Sequence, residues 1–158
     1  MRSCSTRTTA YCCAGSSSLT RQCRNRRRAW AAPGGGIEPG EDSLTALRRE
    51  LREETGLTVI VDPPHVWHQE VVTTGPAPGF DGIINDYFLI RASHFQPRGE
   101  LTDDQLAAEE NLAAFRWWQL SEIAGYTGSE LFSPRDLTTP LTTLLSAGTP
   151  EQPIQLGL

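Results

Sequence analysis

Three glutamates carry the chemistry available to this chain. Glu50, Glu53 and Glu54 fall at i, i+3 and i+4 within LTALRRELREETGL, a spacing that puts all three on one side of a helix. Carboxylates that close repel one another, so the arrangement is costly unless a cation neutralises it. Carboxylate oxygens are hard donors and select Mg²⁺, Mn²⁺ or Ca²⁺ over softer metals. Arg48, Arg49 and Arg52 are interleaved with them and reduce the repulsion. The competing reading is a solvated helix laced with Arg–Glu pairs, which needs no ligand.

The elements that must position these carboxylates are also legible. Asp42 or Ser43 can cap the helix N-terminus by accepting an orphan backbone N–H, and Glu41 and Asp42 suit the positive end of the helix dipole. Leu44, Leu47 and Leu51 recur at i, i+3 and i+7, an apolar stripe that predicts a core-facing side with the glutamates turned away from it. Thr55-Gly56 ends the helix, because glycine takes the left-handed cap conformation at little cost. Ahead of the helix, Pro33 to Glu41 reads PGGGIEPGE. That composition predicts a tight, shaped loop rather than a strand or helix, with backbone able to approach a phosphate.

Taken together, Gly35, Glu41, Arg49, Glu50, Leu51, Glu53, Glu54, Gly56 and Leu57 stand in the order G-x5-E-x7-R-E-U-x-E-E-x-G-U, where U is a bulky aliphatic. Such an order arises by chance in about one chain in 10⁷ or fewer, which leaves the surface-helix reading little room. It resembles the signature of the Nudix hydrolases, with every fixed position filled. The resemblance implies an α/β/α sandwich around a mixed β-sheet. It also implies metal-assisted attack of water on a phosphorus of a nucleoside diphosphate linked to another moiety. Carried onto this chain, Glu50, Glu53 and Glu54 are the implied ligands of Mg²⁺ or Mn²⁺. Glu53 is the preferred acceptor of the water proton, and Arg49 orients a catalytic carboxylate through a charge-assisted pair. Gly35, Gly36 and Glu41 shape the loop. The family also suggests one more acidic residue from outside the motif. Glu100, Asp103, Asp104, Glu109 and Glu110 are candidates, against the favoured alternative of a solvated acidic stretch.

The remainder predicts strands at Leu57–Val61, Val66–Thr74, Ile83–Ala92 and Leu112–Leu120, with a loop at Gly75–Gly79. A short helix is expected from Ser121-Glu122, and a longer one over Pro134–Ala147 with Leu137, Leu141, Leu144 and Leu145 on one face. The tail from Thr149 shows no periodicity. His65, His68 and His94 fit no strong zinc spacing and read as hydrogen-bonded fillers rather than ligands. Trp67, Tyr87, Phe88, Trp117 and Trp118 read mainly as core, with one member of each adjacent pair free to face a pocket. The expected organisation is an anomalous segment 1–30, a domain over 31–148 and a tail 149–158.

The segment 1–30 holds seven of the 14 arginines, all four cysteines and no acidic residue, so the other 128 residues set seven arginines against 19 acids. A basic arm for nucleic acid, a transit peptide and a site at Cys4, Cys12, Cys13 and Cys23 are alternatives, the last lacking paired C-x2-C spacing. None supplies the strands that the family places before the glycine-rich loop. A shifted reading frame does. Residues 2–18 can be encoded by DNA that, two bases on, reads LLLDEDDRVLLCRVEF, and the leucines read across Tyr11-Cys12 and Cys12-Cys13 are forced by the genetic code. On this expectation the N-terminal strands are missing or out of frame. No apolar run of membrane-spanning length exists. The expected setting is therefore cytoplasmic, with a small-molecule nucleotide diphosphate as partner, neither membrane nor nucleic acid, and the oligomeric state open between monomer and homodimer.

Overall fold

The computed structural model describes residues 4–14, 17–23, 28–77, 80–109 and 112–157. The glutamate-bearing segment forms helix α1, Ser43–Thr55. Asp42 caps it, its Oδ1 accepting from the Thr45 N–H at 2.7 Å. Gly56 closes it at φ 77°, its N–H donating to the Arg52 carbonyl. Leu47 and Leu51 are fully buried, as the stripe requires.

The helix lies on one face of a mixed sheet. Its strands are β1 (Cys4–Ala14), β2 (Ser17–Cys23), β3 (Ala29–Ala31), β4 (Gly34–Gly36), β5 (His65–Ala77), β6 (Phe80–Arg91), β7 (Leu112–Gln119), β8 (Leu131–Ser133) and β9 (Ile154–Leu156). The described order is β8-β3-β2-β1-β6-β5-β9, with β4 pairing β1 and β7 pairing β2. β1 runs parallel to β6, while β2 is antiparallel to β1 and β7. Alternation along β6 divides the core. Phe88 and Ile90 join Leu19, Leu47 and Leu51 beneath α1. Tyr87 and Leu89 point the other way, into a cluster with Trp67, Trp118, Leu137, Leu141 and Leu144. That second face is covered by α3 (Leu120–Ala124) and α4 (Thr138–Ala147). A short helix α2, Asp103–Glu109, precedes β7. The architecture is thus the α/β/α sandwich with a mixed sheet that the resemblance implied.

Several expectations need correction. Strands ahead of the glycine-rich loop are present: β1 and β2 lie at the centre of the sheet, within the segment expected to lack them. Main-chain pairing with β6 on one side and with β7 and β3 on the other accounts for them, since ladder hydrogen bonds do not require apolar side chains. Gly34–Gly36, expected as loop, is a short strand antiparallel to β1. Leu57–Val61, expected as a strand, pairs with nothing in the sheet. It runs beside α1: Leu57 and Val59 pack against the core beneath the helix, the Val59 carbonyl accepts from Arg48 Nε at 3.1 Å, and Ile60 is 87% exposed. The tail, expected without structure, contributes β9 parallel to β5. β5 continues through Ala77 where a loop was expected, and Pro78 and Gly79 lie outside the described residues. Of the cysteines, the side chain of Cys23 alone is described, with a free thiol.

β2 buries unusual side chains. Leu19 faces α1, but Ser18 and Thr20 on the opposite face are buried, and neither hydroxyl has a hydrogen-bond partner among the described residues. A buried hydroxyl left unpaired costs about 1–3 kcal/mol. Thr20→Val keeps the volume and the β-branch and removes that hydroxyl. It is expected to raise the unfolding free energy by about 1 kcal/mol, or Tm by about 2–4 °C for a chain of this size. A thermal melt with no rise would show that the hydroxyl is paired in solution.

Candidate active site

The site is organised by Arg49 on α1. Its Nε and Nη2 donate to the two oxygens of Glu41 at 2.9 and 3.0 Å, a bidentate pair. Nη2 also donates to the Gly36 carbonyl at 3.0 Å. Nη1 reaches Glu50 at 2.8 Å and Glu53 at 3.3 Å. One guanidinium thereby ties the loop, the residue before the helix cap and two of the three glutamates. Glu41 in turn accepts from the Glu38 N–H at 3.0 Å, which closes the turn. The Arg49 hydrogen bonds are the main reason the Glu41 carboxyl is held at about 2 instead of 4.5. The same contact is the main reason the Arg49 guanidinium holds its proton more tightly than usual.

The glutamates do not share an exposed face, as the helix spacing had suggested. Glu50 and Glu54 are buried, whereas the Glu53 side chain is 28% exposed. Positions 47, 50, 51 and 54 form one broad inward side, so the carboxylates adjoin the leucine stripe and turn towards β4 and β2. Glu54 accepts from the Gly34 N–H at 3.2 Å, and its other oxygen is paired with Arg21 Nη1 on β2. Gly35 packs directly on Glu50: a Cβ at this position would overlap the Glu50 carboxylate. A side chain there would push the Glu50 carboxylate out of its place beside Arg49. Gly36 is exposed and offers its carbonyl to Arg49.

Of the other interleaved arginines, Arg48 pairs with Asp62 and Arg52 with Glu100, away from the glutamates. The segment after His94 is fastened to the end of α1. Arg98, Glu100 and Leu101 N–H groups donate to the Thr55, Arg52 and Glu53 carbonyls at 3.0, 3.3 and 3.1 Å, satisfying orphan carbonyls of the last turn. A cleft beside it is lined by Glu54, Gly99, Asp103, Asp104, Leu106 and Phe115. Glu100 lines the same cleft, so three of the five acidic candidates share it with Glu54. Glu109 ends α2 and Glu110 lies outside the described residues.

Sequence reasoning missed Arg21, which stands 33 residues from its partner, in a segment whose composition gave no sign of a site. It also passed over His65, His68 and Asp86, whose ligand atoms lie within 4.8 Å of one another. His94 lies instead against Trp117, with ring centroids 4.7 Å apart and planes tilted by 31°. The aromatic pairs divide between the two cores.

A depressed carboxyl stabilises the fold above its unfolded value and loses that contribution as pH falls through its folded value. The stability difference between the wild type and Glu41→Gln is therefore expected to be full above about pH 4.5 and to vanish towards pH 2. Unfolding free energies measured from pH 2 to 7 check this. A difference that persists at pH 2 would mean that Glu41 acts through something other than its charge.

The NUDIX domain family matches this chain over residues 10–136. A nucleoside triphosphatase NudI from Salmonella arizonae is 53% identical over 38 residues, 24% of this chain and 27% of that protein; the match thus spans about a quarter of that curated relative. A MutT protein from Methanosarcina mazei superposes with a TM-score of 0.65 at 18% identity, over 92% of this chain and 97% of that one. An ADP-ribose pyrophosphatase from Streptococcus suis gives 0.56 at 19% identity, over 96% of each chain. The complete motif, its Arg49-centred geometry and a family match across most of the length agree: this chain belongs to the Nudix hydrolase family.

Proposed function

We propose that this chain hydrolyses a nucleoside diphosphate linked to another moiety, by divalent-metal-assisted attack of water on phosphorus. The observation that carries this reading is the Arg49 network, which brings Glu41, Glu50, Glu53 and the Gly36 carbonyl around one guanidinium. Arg49 holds the Glu50 and Glu53 carboxylates side by side and fixes their rotamers. Glu53, the most accessible of the three glutamates, takes the proton of the attacking water. The main chain of Gly34 and Gly35 lies against Glu54 and Glu50, and the open space at Gly36 leaves room for a phosphate oxygen to come close.

The donor set suits Mg²⁺ or Mn²⁺, because Glu50, Glu53 and Glu54 offer only carboxylate oxygens. Their existing partners, Arg49 and Arg21, are both cationic, in keeping with a cluster that draws positive charge. These three glutamates would hold the ion. When bound, it would neutralise phosphate charge and lower the pKa of a bound water.

A panel of ADP-ribose, NADH, dinucleoside polyphosphates, nucleotide sugars and nucleoside triphosphates with Mg²⁺ tests the reading and names the substrate class. Glu53→Gln is expected to lower kcat by about 10²–10⁴-fold, with an unchanged melt. Full activity in that variant would remove Glu53 from the chemistry. No product from any compound, with Tm raised by one of them, would instead mark a nucleotide-binding module.

A second reading concerns the chain itself and is favoured by the buried hydroxyls of Ser18 and Thr20, which meet no partner among the described residues. Residues 1–30 carry the side chains of a shifted reading frame on strands that the fold requires. The site glutamates are then intact on a weakened platform, and the product is unstable. Sequencing the gene decides this. The expected result is an alternative frame over codons 2–30 that encodes two apolar runs, and its absence would end the idea.

A further inference from the structure

We propose that His65, His68 and Asp86 form a site for one transition-metal dication of the zinc class, separate from the glutamates of α1. A bulge builds it. Pairing between β5 and β6 shifts between His65 and Trp67: His65 stands opposite Phe88, Trp67 opposite Tyr87 and His68 opposite Asp86. Residues three apart on a regular strand point to opposite faces. The extra residue, Val66, cancels that alternation and puts both imidazoles on one face, which is how bulges re-aim side chains. The result is a compact donor set. His68 Nδ1 lies 2.7 Å and His65 Nε2 3.2 Å from the same Asp86 oxygen. Two donors each about 2.0–2.1 Å from a metal stand about 3 Å apart when their bonds meet at right angles, so these separations match the edge of a coordination polyhedron.

The surroundings favour ligation. The His65 ring stacks on Phe88, with centroids 4.9 Å apart and planes 24° from parallel, which limits its rotation. The three side chains are 18–33% exposed, shielded yet reachable from solvent. Imidazole nitrogens with one carboxylate suit zinc, nickel or cobalt better than magnesium, so the chemistry differs from that of the glutamates. Three protein ligands leave a position open for water or another donor. His68 Nδ1, now hydrogen-bonded to Asp86, and His65 Nε2, now hydrogen-bonded to the Trp67 carbonyl at 3.0 Å, would become ligands, and binding would release the protons held in those bonds.

The site shares a sheet face with the glutamates. Gly35, Thr8, Asp86 and His68 stand in one register line across β4, β1, β6 and β5, and directly opposed residues point to the same face. Since the Cβ direction of Gly35 meets Glu50, Asp86 and His68 also face the α1 side. Asp86 lies two strand spacings from Gly35, or about 10 Å.

Long-range ¹H–¹⁵N imidazole NMR on the full chain, titrated with Zn²⁺ in saturating Mg²⁺, tests this without mutation. The chain has three histidines, so His94 is an internal control. The expected result is saturable change at His65 Nε2 and His68 Nδ1 by one equivalent, with His94 unmoved. His68→Gln should weaken the response of His65 by about 10–100-fold, the scale for losing support at a metal site. Silence at His65 and His68, or parallel drift of all three rings only at large excess, would overturn the proposal. The outcome does not depend on diphosphate hydrolysis, so the two readings stand or fall separately.

Discussion

The site depends on how buried negative charge is balanced at α1. Glu50 and Glu54 are taken out of water, and an uncompensated carboxylate in such surroundings is expensive. Arg49 answers Glu50 and Glu53, and Arg21 answers Glu54. Arg49 serves a second purpose because a guanidinium offers donors in a fixed fork. Its bidentate contact with Glu41 and its bond to the Gly36 carbonyl make the loop conformation and the carboxylate positions one problem with one solution. A lysine could balance charge there but could not hold both geometries.

Close approach sets the other constraints. α1 sits so near β4 that Gly35 has no room for a side chain, and its C-terminal end is so close to the segment 98–101 that a Cβ on Gly56 would overlap the Arg98 carbonyl. The C-terminal half of the helix is thus held by backbone: β4 lies beside Glu50 and Glu54, and three N–H groups sit on the last carbonyls. A platform clamped in this way keeps carboxylates fixed despite their repulsion, which suits chemistry that relies on positioning and charge rather than on covalent steps.

The N-terminal segment shows how far backbone pairing can carry a sequence with poor side chains. β1 and β2 hold central positions, and the family match begins at residue 10. Yet β2 places Ser18, Thr20 and Arg21 in the interior. Arg21 is reconciled with its setting by Glu54, while the two hydroxyls are not. Removing one partner from a buried ion pair costs more than the pair contributes, so that contact couples the platform to the site.

Local interactions were readable without a structure. Asp42 and Gly56 as caps and Leu47 and Leu51 as the buried stripe lie within one or two helical turns of the groups they act on, where spacing alone determines geometry, and the motif running from Gly35 to Leu57 was legible as an ordered set of residue types. Register could not be read in this way. The Arg21–Glu54 pair, the bulge that gathers His65, His68 and Asp86, the pairing of Gly34–Gly36 with β1 and the addition of β9 to the sheet edge all join strands or helices distant along the chain. Sequence alone thus determined the family, the helix and its acidic residues, because those follow from contacts between near neighbours. Which cation faces each carboxylate, and which side of the sheet each histidine shares, was decided only when strand register brought remote residues together.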